Sequence, residues 1–159
     1  MISERKQKLI NKLNDSRQRL NTALDAVGDR WDEQLYSEGA QWTIRQLLTH
    51  LMLADAGHVR MVKAIAAGIE FIPADYDIDR YNKGSVQKNE NLTIEDCRQG
   101  LANSREEALS WIDEIDDSVL DIEGRHASLN ILSIEKIFKI MALHEISHAQ
   151  DIETHLNLA

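Results

Sequence analysis

Apolar residues return at steps of three and four along four stretches of the chain. The first holds Leu9, Leu13, Leu20, Leu24, Val27 and Trp31, with Ser16 completing the steps. The second holds Ile44, Leu47, Leu48, Leu51, Val62, Ile65 and Ile69, and the third Ile94, Leu101, Ala108, Ile112 and Ile115. The fourth holds Ile134, Ile137, Phe138, Met141, Ile152 and Leu156. This is the spacing of helices that each bury one face. Start signals agree with it. Thr43 with Gln46 reads as a capping box flanked by Trp42 and Leu47 at the spacing of a hydrophobic staple, and Thr93 with Asp96 repeats it more weakly between Leu92 and Cys97. Ser3 and Ser133 suit the N-caps of the outer two helices. No β-branched alternating run bounded by turn residues marks a strand. The pattern predicts four helices, over residues 3–29, 43–68, 93–116 and 133–157.

The connections are unequal. The link between the second and third helices, residues 69–92, contains Pro73, Gly84, Asp75, Asp77 and Asp79. A link of that length can run the height of a bundle and leave the helices it joins parallel. The expected fold is therefore all-α: a single four-helix bundle in up-down-down-up order, with residues 1–159 as one domain. Structureless loops that long are uncommon in compact domains and are often functional.

Composition narrows the function. With 159 residues, 43% of them hydrophobic and 28% charged, the chain can bury one core and is not disordered. The net charge of −9 repels phosphate backbones and anionic lipid, which argues against nucleic-acid or membrane-surface partners. A single cysteine, Cys97, allows neither an internal disulfide nor a thiolate-rich zinc site. The N-terminal residues lack the apolar stretch of a signal peptide, and no run is long and apolar enough to span a bilayer. The expected compartment is the cytoplasm.

The histidines carry the strongest chemical signal. His144 and His148, four apart, project from one face of the fourth helix, within its apolar stripe. Buried imidazoles cost desolvation unless satisfied, and a zinc, nickel or iron ion would satisfy both. A pair of core histidines satisfied by neighbours would have the same spacing. His50 flanks the stripe of the second helix, where it could reach a ligand between helices. The run His144-Glu145-Ile146-Ser147-His148 also fits the H-E-x-x-H helix of zinc proteases. Too few residues follow His148 for that class's distant third ligand, and Thr154 stands where the extended form needs a histidine. A di-iron carboxylate site could use Glu145 with His148 and Asp55 with His58, but the other helices offer Ser16 and Arg105 in place of the two further acids.

Residues 42–58, Trp-Thr-Ile-Arg-Gln-Leu-Leu-Thr-His-Leu-Met-Leu-Ala-Asp-Ala-Gly-His, together with residues 143–152, Leu-His-Glu-Ile-Ser-His-Ala-Gln-Asp-Ile, resemble the DinB-like (YfiT-like) family of metal-binding four-helix bundles. The linker from Phe71 to Asn82 and the Ser104-Arg105 pair resemble one branch of it. The resemblance implies a metal site built from His50, His144 and His148, holding zinc, nickel or a similar divalent ion with a position left open. It also implies a metal-dependent enzyme, with transfer of a low-molecular-weight thiol to an electrophilic substrate as the reaction class, and a homodimer. Glu145, whose helical position also points inward, is the candidate catalytic residue, moving protons or orienting a ligand; a rim carboxylate is the other reading. The alternative is a non-catalytic metal-binding or stress-response protein.

Arg105, between Leu101 and Ala108 on an inward stripe, must be paired if buried; Asp55 is the expected partner, an anionic substrate the other. Asp75, Asp77 and Asp79 fail the EF-hand template, because Arg80 holds the glycine position and Val86 the terminal glutamate position. They read as capping and solvating residues. Tyr76, Tyr81 and Asn82 could cover the metal mouth. His58 and His155 could support the metal ligands from behind but read better as core and surface histidines, and His155 lies about 10 Å along the axis from His148, too far to share its ion.

Overall fold

The computed structural model describes residues 2–158. Helix α1 (Glu4–Asp25) leads into a hairpin of β1 (Gln34–Ser37) and β2 (Ala40–Thr43), which runs directly into α2 (Ile44–Ala66). Helix α3 (Ile78–Lys88) interrupts the long link before α4 (Ile94–Glu114). A 3-10 turn (Asp117–Asp121) and a second hairpin, β3 (Glu123–Arg125) with β4 (Ile131–Ser133), then feed α5 (Ile134–His155). The four expected helices are thus α1, α2, α4 and α5. All four expected caps form, with Ser3, Thr43, Thr93 and Ser133 each accepting from a backbone N–H one turn ahead. Both capping boxes close. Helix α1 stops short of residue 29, because Gly28 adopts a left-handed φ of 64° and turns the chain toward β1.

Cross-helix pairs fix the directions. Arg5 meets Glu135 and Arg19 meets Glu153, so α1 and α5 run parallel. Thr49 meets Cys97 and Lys63 meets Glu107, so α2 and α4 run parallel. Lys6 donates to the Asp113 carbonyl while Arg98 pairs with Asp25, so α1 and α4 oppose each other. The order is up-down-down-up.

The linker is not structureless. Asp77 caps α3 by accepting from the Arg80 amide, the capping role expected of the aspartates. Only Val86 of α3 is buried. The two hairpins were missed from the sequence. Their strands are three and four residues long, too short for alternation to register.

The core is divided. One apolar cluster gathers Leu9, Leu13, Val59, Val62, Ile112, Ile137 and Phe138; the other gathers Leu20, Leu24, Leu47, Leu48, Leu101, Ala149 and Ile152. Between them each bundle helix contributes a charged side chain: Arg17 from α1, Asp55 from α2, Arg105 from α4 and Glu145 from α5. Arg105 Nη2 lies 2.9 Å from both Asp55 Oδ1 and Glu145 Oε1, and Arg17 Nε donates to Glu145 Oε1 at 2.8 Å. Ser16 donates to Glu145 Oε2 at 2.7 Å, and Ser104 donates to Asp55. The guanidinium groups reach backbone as well, Arg17 to the Leu101 carbonyl and Arg105 to the Leu13 carbonyl, each at 2.7 Å. Two positive and two negative groups balance, as burial requires.

Candidate metal centre

His50 sits two turns into α2, close behind the capping box that fixes where the helix begins. His144 and His148 stack one turn apart on α5. Because α2 and α5 are antiparallel neighbours, the three rings converge. His144 Nε2 lies 3.4 Å from His50 Nε2 and 3.1 Å from His148 Nε2. The structure brings together all three histidines singled out in the sequence.

It adds a fourth donor that the sequence reading missed. Glu38, at the tip of the β1–β2 hairpin, places Oε2 at 3.1 Å from His144 Nε2, 3.0 Å from His148 Nε2 and 3.4 Å from His50 Nε2. The four donor atoms lie within 4.8 Å of one another. The turn that carries Glu38 has two residues, Glu38 and Gly39, both with positive φ (52° and 76°). That is the twist-matched hairpin turn for which Asn-Gly is the strong sequence signal; Glu-Gly is a faint one.

The imidazoles are held from behind. Ser37, buried in β1, lies with its Oγ 2.7 Å from His148 Nδ1 and donates its own proton to Asp151. A hydroxyl that donates to a carboxylate must accept from the ring, so His148 carries its proton on Nδ1. Its Nε2 therefore presents a lone pair to the cluster. Trp42 of β2 stacks on His50, with ring centroids 5.5 Å apart and planes 13° from parallel. Burial of the Glu38 carboxyl works to raise its pKa, but the imidazoles gathered around it outweigh burial and hold the group below the usual carboxylate range.

Three imidazole nitrogens and one carboxylate oxygen are a donor set for zinc or a similar transition ion. A tetrahedron with edges of about 3.3 Å has its corners about 2.0–2.1 Å from its centre, the length of zinc–nitrogen and zinc–oxygen bonds. Five of the six separations lie between 3.0 and 3.4 Å, close to that edge. His148 Nε2 and the Glu38 carboxylate, 3.0 Å apart, are both acceptors and cannot satisfy each other, and a cation between them would satisfy both.

The other candidates sit elsewhere. Glu145 faces the charged layer, where Ser16, Arg17 and Arg105 take both carboxylate oxygens. Arg105 meets Asp55, as expected, and Glu145 too. Arg17 was missed, although it stands four residues beyond Leu13 on the inward stripe of α1. His58 pairs with His126, also missed, at 2.9 Å between the two Nε2 atoms. Its Nδ1–H donates to the Ala54 carbonyl, while His126 Nδ1 accepts from the Ser128 amide, so His126 Nε2–H donates to His58. His155 pairs with Glu33 on the surface. Tyr76 packs on the apolar cluster that holds Val59 and Val62, with Tyr81 beside it, toward the end of α2 away from His50.

The sequence pattern of the DinB superfamily matches residues 12–152. The chain belongs to the DinB superfamily. This DinB chain shares its fold with YfiT from Bacillus subtilis, described as a probable metal-dependent hydrolase with an unusual four-helix bundle topology. The TM-score is 0.72 at 20% identity, over 100% of this chain and 92% of that one. An uncharacterised protein from Escherichia coli UTI89 aligns with a TM-score of 0.74 at 14% identity, over 99% and 98% of the two chains. No curated protein matches the chain in sequence. Among the described residues no helix is long and apolar enough to cross a membrane.

Proposed function

We propose that this DinB protein is a metal-dependent enzyme that binds one divalent transition ion, zinc or nickel, through His50, His144 and His148. We further propose that it joins a low-molecular-weight thiol to an electrophilic substrate in the cytoplasm, where such thiols stay reduced. The observation that carries this reading is the convergence of the three imidazoles, with the Ser37–Asp151 pair setting the His148 tautomer that ligation requires. A divalent ion held there would acidify a bound thiol or water at neutral pH. The chain's residues do the rest. Trp42 holds the His50 ring, Ser37 and Asp151 hold His148, and Glu145 fixes α5 against α1 and α4 rather than taking a proton at the cluster.

Two features favour other readings of the same site. YfiT's description as a probable metal-dependent hydrolase supports water as the nucleophile. Glu38 in the fourth position supports a metal-storing or stress-response protein, because closed four-ligand sites are the structural kind. Elemental analysis of the purified protein beside His144→Ala tests the site: metal in the first and none in the second is the expected result. Metal-loaded protein is then given a thiol with an electrophile, or an activated ester alone. Depletion of the thiol supports transfer, ester cleavage alone supports hydrolysis, and neither reaction with metal retained favours storage.

A further inference from the structure

Glu38 is held differently from the three imidazoles. His50, His144 and His148 are 4%, 19% and 1% exposed and root on bundle helices, whereas the Glu38 side chain is 52% exposed and hangs from a hairpin tip. Its φ of 52° lies in the left-handed region, which suits Gly, Asn or Asp in such a turn and disfavours a longer residue. This strained backbone aims the carboxylate inward and lets it cap the cluster from the solvent side.

We propose that Glu38 is an exchangeable fourth ligand. Its carboxylate closes the site at rest, and a monoanionic donor from solution, such as a thiolate, takes its place when the side chain turns outward. This rests on the metal reading above.

Charge selects the incoming group. Three neutral imidazoles with a divalent ion and one carboxylate carry a net charge of +1. A monoanion in place of the carboxylate preserves that balance, whereas a neutral donor would leave both charges of the ion among largely buried rings. Rotation about the side-chain bonds of Glu38 is enough for exchange. The Ser37 bond to His148 belongs to the neighbouring residue of β1, whose ladder with β2 need not open. The rings therefore keep their places while the fourth position changes hands.

Cobalt(II)-loaded protein provides the test, with the visible spectrum and azide titration as readouts. Glu38→Asn keeps a residue suited to the turn and removes the reach of the carboxylate. The expected result is an altered cobalt spectrum, weaker cobalt binding, and tighter azide binding because no carboxylate competes for the fourth position. A variant that matches the wild type in all three overturns the proposal. His144→Ala separates the two levels. If it binds cobalt as well as the wild type does, or if the wild type binds none, the metal reading falls and takes the exchange with it. If His144→Ala loses cobalt while Glu38→Asn behaves as wild type, only the exchange is overturned.

Discussion

The Ser37 hydroxyl lies 2.7 Å from Nδ1 of His148 and donates its hydrogen bond to Asp151, so a hairpin strand decides which nitrogen a helical imidazole offers. Ser37→Ala removes the acceptor for Nδ1–H and frees the ring to take either tautomer. Metal affinity is expected to fall by about 10–100-fold, measured by competition with a chromophoric chelator. Far-ultraviolet circular dichroism should be unchanged.

Glu145 is expected to matter to stability. Glu145→Ala leaves Arg17 and Arg105 facing each other with Asp55 as their only carboxylate. Breaking a buried ion pair from one side costs about 3–5 kcal/mol. Urea unfolding of metal-free protein should show a loss of that size. A loss of turnover with unchanged stability would instead return Glu145 to a chemical role.

The His58–His126 pair predicts acid sensitivity. Burial, with help from His126 and His144, lowers the His58 pKa from 6.5 to about 4. The unfolded chain therefore binds this proton more readily than the folded one between those values. Stability should be complete above about pH 6.5, fall as the pH drops toward 4, and level off below; the window corresponds to roughly 3 kcal/mol. Unfolding midpoints across this range should show the slope in the wild type and a reduced one in His58→Phe.

Gly124 of β3 has no room for a side chain. A Cβ there would sit 2.5 Å from Cγ1 of Ile65 on α2. Gly124→Ala is expected to destabilise by about 1–3 kcal/mol through overpacking. Ile65→Ala removes all three colliding atoms, so adding Gly124→Ala to that variant should cost less than it does in the wild type, a coupling that thermal unfolding of the two single variants and the double variant would read.

The helices and their caps were legible in the sequence because each is long enough for its apolar stripe to repeat, and Thr43 and Thr93 announce their helices within four residues. The three histidines were legible for a related reason: helical spacing places His144 and His148 on one face, and the family resemblance supplies His50. Glu38 and Ser37 were not, because their value comes from pairing across a hairpin whose strands carry no period. Helix α3 escaped because it buries only Val86, so no stripe distinguishes it from a solvated link. Arg17 and His126 escaped because each draws its meaning from a partner far along the chain, Glu145 and His58.

The charged layer across the bundle has a geometric consequence. Oily helix faces tolerate sliding past one another, since one leucine replaces another as neighbour. Here, moving α1 by one turn would bring Leu13 or Leu20 to the height of Arg17 and leave Glu145 with the Arg105 guanidinium alone. The four helices therefore share one vertical datum. The imidazole of His144, next in sequence to Glu145, inherits its elevation from that datum, and the meeting point of the three rings is set by ion pairing one step below it.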